Sequence, residues 1–466
     1  MKTGGSMPGI ENFIQQRADS LLERLLDVIR IPGICVEGGP AIRAMAEAAA
    51  QDCVAAGLDT RIEETSGHPV VYGTAGPAGA PFTLILYGHY DVFPVTGQDG
   101  WKTEPFSPVL DGDRIYARGA GDNKGQFLAW LAALRWWGEQ PGGLPIRVKA
   151  ILEGEEEAGS RHLPEFVRRN RAGLDADLCV YSDGPMLAGD APALLFGARG
   201  ALVMEFSSSG PVQPVHSGNF GGVVANPVME LSRFFSDLVA PNGDLRAEDI
   251  NKGLPVPDPE EQAALDSLRL DTSEFRRSTG TAPVTERFGE NYYERLLCKP
   301  TFNISGIQGG HTGNGFRTLI PATATATVDM RLVGTQDPDH VFSCVEQFLH
   351  RRGYSGISVR KVMSQPPSRT PISHPYADPV AAALRATFGT EPKKVPSLAG
   401  TTPDWVFTQV LGIPSIMVPL APTDENHHGP NESMKVSLFL QGIRFYASLI
   451  GLLARNPQAT DHKEFS

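Results

Sequence analysis

Short apolar runs alternate with segments of helical periodicity along most of this chain. Leu21, Leu22, Leu25, Leu26 and Ile29 recur at helical spacing, and Pro32 closes that segment. An alanine-rich helix follows over residues 40–56 and stops at Gly57. Residues 82–87 predict a strand that ends in GHYDV. Gly125 opens an apolar helix, QFLAWLAALRWW; residues 146–152 predict a second strand, and 177–181 a third that ends in SDGP. Short strands alternating with helices predict an α/β layer around a mostly parallel sheet.

The middle reads differently. In ATATATVDMRLV, Ala324, Ala326, Val328, Met330 and Leu332 make one face, and Thr323, Thr325, Thr327, Asp329 and Arg331 the other. Strict alternation predicts a half-buried strand of an antiparallel sheet. An amphipathic helix, DPDHVFSCVEQFLHRRG, and a strand, ISVRKVM, come next. Residues 200–371 are therefore read as an α+β domain inserted into an α/β domain made of residues 1–199 and 372–466. The α/β pattern resumes with a helix at 378–388, a strand in PSIMVPL, the segment ENHHGPNE and a last apolar helix over 435–453.

Composition narrows the partners. The chain has 466 residues, 41% hydrophobic and 20% charged, which is ordinary for a globular protein. A net charge of −12 argues against nucleic acid or an anionic membrane as partner. We expect no membrane span, for want of a run of about 18 apolar residues, and no signal peptide, for want of an apolar h-region. Five scattered cysteines with no C-x-x-C pair predict reduced thiols and a cytoplasmic setting, not a disulfide framework.

The candidate chemistry begins at LEGEEEAGS, which crowds Glu153, Glu155, Glu156 and Glu157 at the end of a strand. An isolated acidic run reads as a solvated loop. Here His89, this cluster and Asp183 all lie just past predicted strand ends, where ligands of parallel sheets gather. Crowded carboxylates raise one another's pKa, and a divalent cation removes that penalty. The donors on offer are His89, Asp122, one or two of the glutamates at 155–157, Asp183, and His427 or His428. Such a set suits two divalent ions sharing a water, with one more carboxylate free to act as base. Asp91, two residues from His89, suits fixing the imidazole tautomer. Spacing thus reads as a dinuclear metal hydrolase and leaves open which glutamates and which of the paired histidines serve. His68, His162, His340, His350, His374 and His462 carry no motif and are read as surface or satisfied core residues. Trp130, Trp136 and Trp137 are read as core.

The stretches YGHYDVFP, IYARGAGDNKG, LEGEEEAGS, YSDGP, VHSGNFGG, GIQGGHTGNGFRTLIPATATATVDMRLV and HHGPNE occur in that order. Together they resemble the aminoacylase/carboxypeptidase/carnosinase family of dinuclear zinc metallopeptidases, and most of all its cytosolic dipeptidase, carnosinase-like branch. The resemblance implies that His89 and Asp183 bind one zinc, Glu157 and His428 the other, and Asp122 bridges, with Mn2+ or Co2+ as alternatives. It assigns Glu156 as general base for a metal-bound hydroxide, leaves Glu153 and Glu155 as flanking charges, and implies a cis Asp122–Asn123 bond. It makes the inserted domain a lid and homodimer interface, with His216 reaching the partner subunit's site to stabilise the oxyanion. Arg331 would hold the substrate carboxylate, and the Gly400–Thr401–Thr402 loop would touch substrate. The implied reaction is amide hydrolysis of a dipeptide or small peptide with a free C-terminal carboxylate. One departure stands out: SLAGTTPDW lacks the arginine and glutamate of the branch's R-E-G-G-S-I-P. That keeps deacylation of N-acyl amino acids, or hydrolysis of another small C–N bond, as the alternative.

Overall fold

The computed structural model describes residues 9–97 and 100–455. It divides into two compact units. One comprises the chain up to Gly197, Thr370–Pro396 and the chain from Val406; the other comprises Ala198–Arg369 and Ser397–Trp405. The loop 397–405, which sequence order assigns to the outer segments, is therefore part of the second unit.

The first unit is built on an eight-stranded sheet. Its order is Asp59–Glu63, Val70–Ala75, Arg147–Glu153, Thr83–His89, Leu178–Tyr181, Ser415–Met417, Ala193–Leu195 and Lys393–Val395. The four central strands, from Arg147–Glu153 to Ser415–Met417, run parallel. Their side chains are nearly all buried, as Leu84, Ile85, Leu86 and Tyr87 illustrate, which is what a sheet covered on both faces requires. The helix Gln126–Gly138 packs on Thr83–His89, and Gly39–Ala55 on Val70–Ala75. Trp130 and Trp136 are core.

The last helix, Val436–Leu453, bears on the expectation of no membrane span. Its mean hydropathy is 1.5 over 18 residues, so by length and composition it is apolar enough to cross a membrane. Ser437, Gln441, Arg444 and Ser448 interrupt the run and hide this from a search for unbroken apolar sequence. The apolarity serves packing: 67% of the helix is buried, against Gln126–Gly138 and Ala377–Phe388. Arg444 pairs with Glu11 at 2.8 Å.

The second unit holds a four-stranded antiparallel sheet, ordered Thr301–Gly309, Thr323–Leu332, Gly200–Ser209 and Ile357–Gln365. Ala324, Ala326, Val328, Met330 and Leu332 are buried, as their alternation requires. They pack with Phe206, Phe234 and Phe348 beneath the helices Pro227–Leu238 and Pro338–Arg351. Each of these helices starts with proline behind an Asx cap: the Asn226 side chain accepts from the Val228 N–H, and Asp337 from those of Asp339 and His340.

Candidate metal centre

Three strand ends and two loops of the first unit build the centre. His89 is the last residue of Thr83–His89, and Asp183 follows Leu178–Tyr181 by two residues. Glu156 and Glu157 begin a short turn, Glu156–Ala158, just past Arg147–Glu153. Parallel pairing of these strands brings their carboxyl ends side by side. Asp122 sits inside the turn Ala120–Gly125 with non-helical backbone, and the Asp122–Asn123 bond is cis. His428 has a φ of 58° and stacks on Phe93, ring centroids 4.1 Å apart.

The side chains converge on Asp122. His89 Nε2 lies 3.0 Å from Asp122 Oδ1 and 3.8 Å from Asp183 Oδ1. His428 Nε2 lies 3.2 Å from the other oxygen, Asp122 Oδ2, and 3.0 Å from Glu157 Oε2. Among the described residues two potential cation-binding groups stand out: His89 with Asp122 and Asp183, and Asp122 with His427 and His428. In each, the ligand atoms lie within 4.8 Å of one another. His427 belongs to this geometry too, its Nδ1 3.5 Å from Asp122 Oδ2 and 3.1 Å from Glu425 Oε1.

The donor chemistry fits cations. His89 Nδ1 is 3.1 Å from the carbonyl oxygen of Asp91. A carbonyl only accepts, so Nδ1 carries the proton and the neutral ring turns its Nε2 lone pair toward two carboxylates. That Nε2 has no hydrogen-bond partner, and neither does the buried Glu157 Oε1. A lone pair aimed at anions is repulsive unless a proton or a metal ion lies between them. Without an ion, protons take that place. Burial opposes charge on His89, but the facing Asp122, Asp183 and Asp91 carboxylates outweigh it and hold its pKa well above the ordinary value. Burial likewise opposes charge on Asp122, and the facing His428 and His89 imidazoles overcome it, holding the carboxyl well below the usual range. Glu156 and Glu157 are pushed well up, first by burial and then by neighbouring carboxylates that His89 only partly offsets.

Asp91, and several groups that the motifs did not single out, hold this geometry. Asp91 Oδ1 and Oδ2 accept from the backbone N–H groups of Glu156 and Glu157 at 3.2 and 3.0 Å. Glu432 is fully buried; its Oε1 accepts from the Gly121 and Asp122 N–H groups at 3.0 Å each, and its Oε2 from Arg118 at 2.7 Å. Arg118 also donates to the His428 carbonyl at 3.0 Å. Asn123 Nδ2 donates to Asp183 Oδ1 at 3.2 Å. A Cβ at Gly121 would sit 2.1 Å from Glu425 Oε2, so a side chain there would displace that carboxylate. The available signal was charge within apolar or glycine-rich motifs: Arg118 in RGAGDNKG and Glu432 in HHGPNE.

Glu153 is not a flanking surface charge. It is 2% exposed and accepts from Tyr87 Oη at 2.6 Å and Ser160 Oγ at 2.9 Å. Burial pushes its pKa up to about 8. Glu155 pairs with His162 at 2.7 Å, and His68 Nε2 donates to the Cys35 carbonyl at 2.8 Å. His462 lies outside the described residues.

The remaining candidates belong to the second unit. Arg331 donates from one terminal nitrogen to Thr401 Oγ1 at 2.7 Å and lies 3.5 Å from Asp329. Gly400 accepts from the Arg199 N–H at 3.1 Å. His216 is exposed, with its Nδ1 accepting from the Gly218 N–H and Nε2 3.1 Å from Thr318 Oγ1.

The profile of Peptidase family M20/M25/M40 matches residues 85–451. The chain belongs to that family. This peptidase is 29% identical to rat Beta-Ala-His dipeptidase over 391 residues, 82% of this chain and 79% of the relative. It is 25% identical to the Cys-Gly metallodipeptidase of Schizosaccharomyces pombe over 479 residues, covering 96% and 98% of the two chains. Its fold matches an M20 family metallo-carboxypeptidase from Sulfolobus solfataricus with a TM-score of 0.84 at 30% identity, over 93% of this chain and 99% of that one. It is therefore a metal-dependent hydrolase of peptide bonds.

Proposed function

We propose that this peptidase is a dinuclear dipeptidase in which Asp122 is shared by two divalent ions, zinc in the first instance, with manganese or cobalt as substitutes. One observation carries the reading: two imidazole Nε2 atoms face opposite oxygens of one buried carboxylate, His89 at Oδ1 and His428 at Oδ2. His89 and Asp183 would hold one ion, Glu157 and His428 the other. Ions bound there supply acidification of a water and polarisation of a carbonyl.

The chain's own groups do the rest. Asp91 keeps the proton on His89 Nδ1, so that Nε2 stays available. Glu156 takes the proton from the attacking water and returns it to the leaving amine. Its burial among carboxylates favours the protonated form after the first step. Arg331 and Thr401 take the substrate's terminal carboxylate, a natural task for a guanidinium fork, and Gly400 shapes the same loop. Recognition of a free terminal carboxylate selects peptides with a free C-terminus, in keeping with relatives named for Beta-Ala-His and Cys-Gly.

His216 donates to the oxyanion from the partner subunit of a homodimer formed through the second unit. The exposure of Phe220, Val223 and Phe316 in the same motifs supports a protein neighbour there. Five buried, free cysteines support a reducing, cytoplasmic setting, and the charge of −12 speaks against a nucleic-acid partner.

A second reading, deacylation of N-acyl amino acids, is favoured by SLAGTTPDW, which has no charged group for a free amino terminus until Asp404. A hydrolysis screen with zinc, manganese or cobalt decides between them. The account expects free dipeptides to be cleaved and chelation to stop turnover. Cleavage of N-acyl amino acids alone would transfer the assignment to the second reading.

A further inference from the structure

We propose that Arg199 is a positioning residue that clamps the Leu398–Thr401 loop and so sets the substrate-carboxylate grip of Arg331 and Thr401. This deepens the reading given above and rests on it. In the antiparallel sheet Arg331 pairs with Ala201. Arg199 precedes Ala201 by two residues, just before the strand Gly200–Ser209 begins, and lies near enough to Arg331 to feel its charge.

Arg199 is 7% exposed. Its Nε donates to the Ala399 carbonyl at 2.6 Å, and its backbone N–H to Gly400 O at 3.1 Å and Leu398 O at 3.3 Å. One terminal nitrogen donates to Leu296 O at 2.9 Å, near the end of the helix Tyr292–Cys298. The residue thus ties a sheet strand, the loop and a helix end together. Arg331 holds the next loop residue through the Thr401 hydroxyl. Leu398 and Gly400 are thus held by the Arg199 backbone, Ala399 by the Arg199 side chain and Thr401 by the Arg331 side chain.

The neighbouring backbone adds rigidity. A Cβ at Gly200 would sit 2.6 Å from both Gln365 O and Pro367 N, so the chain beside Arg199 is packed too closely to shift. Burying a cation without a carboxylate partner is unfavourable. Among the described residues Arg199 makes no ion pair and spends its side-chain N–H groups on carbonyls. Burial, with the Arg331 charge adding to it, pulls its pKa down to about 10. Packing alone does not call for so unfavourable a group; joining the loop to a helix end does. A lysine, with a single compact head, does not reach two divergent carbonyls as an arginine fork does.

The test compares Arg199→Lys, Arg331→Ala and the double variant, with Arg199→Ala as a more severe case. The substrates are Cys-Gly and its C-terminal amide, with thermal melts confirming folding at assay temperature. Arg199→Lys is expected to raise KM for the free dipeptide about tenfold while kcat changes less than about threefold, and to narrow the preference over the amide. The double variant should show little more than the larger single effect, because both residues act on one loop. An Arg199→Lys KM within about twofold of the parent, or single effects that simply multiply, overturns the proposal. If Arg331→Ala itself leaves KM and amide discrimination unchanged, the carboxylate grip is wrong and falls first; an effect of Arg331→Ala alone removes only Arg199. Should Arg199→Ala fail to fold, Arg199→Lys decides.

Discussion

At the scale of single residues, neighbouring glutamates do unlike things. Consecutive side chains diverge, so in the proposed function Glu156 and Glu157 would divide proton transfer from ion binding, while Glu153, in phase with the apolar strand, turns into the core. Glu156→Gln should keep metal content at the parent level and lower kcat by about 10²–10⁴; metal analysis beside steady-state kinetics checks both halves. Glu153 makes a separate prediction. Its folded pKa, about 8, exceeds its value in the unfolded chain. Its contribution is therefore full below the unfolded pKa and is lost as pH rises toward 8. Glu153→Gln removes that dependence. The variant should gain on the parent between pH 5 and 8, by up to about 1.4 kcal/mol per pH unit, and the gain should then level off. Thermal melts across that range read it; a pH-independent difference would mean that Glu153 is not held neutral. The acidic cluster itself was legible in the sequence. Which glutamate points inward was not, because residue type argues for the surface while Tyr87 and Ser160, distant or unremarked in sequence, supply the hydrogen bonds that make burial tolerable.

At the scale of elements, the centre depends on how the Ala120–Gly125 turn is anchored. Glu432 binds two of its backbone N–H groups and Arg118, which in turn holds the His428 carbonyl. Glu432→Ala should weaken metal affinity about 10–100-fold, since supporting residues have effects of that size, and a chelator competition titration measures it. Strand and helix types were readable from periodicity, because each central strand is a short apolar run and Thr323–Leu332 alternates strictly. Strand order was not. Arg147–Glu153 inserts between Val70–Ala75 and Thr83–His89, a pairing set by contacts far apart in sequence. The helices between Pro259 and Cys298 are too short to show a sustained period in the sequence.

At the scale of the whole molecule, folding and ion binding are linked. His89, His428 and Glu157 all hold protons above their ordinary pKa values in the metal-free chain: facing carboxylates outweigh burial for the histidines, and burial itself raises Glu157. Binding a cation must displace those protons. Metal affinity should therefore rise with pH between 6 and 8, and calorimetry in buffers of different ionisation enthalpy should record proton release; uptake without release would contradict the arrangement. Chelation should also lower Tm, because ions that bind only the folded state stabilise it. The two-part pattern of the chain was visible as a switch from apolar runs to alternation. The assignment of the 397–405 loop to the second unit was not, since Arg199 and Arg331 hold it from positions far away in sequence.

The most direct test is anomalous diffraction from zinc-loaded crystals, collected above and below the zinc edge. The account predicts two peaks in each chain, one beside His89 and Asp183 and one beside Glu157 and His428, with Asp122 contacting both. A single peak, or two peaks with Asp122 bound to neither or only one, would contradict it.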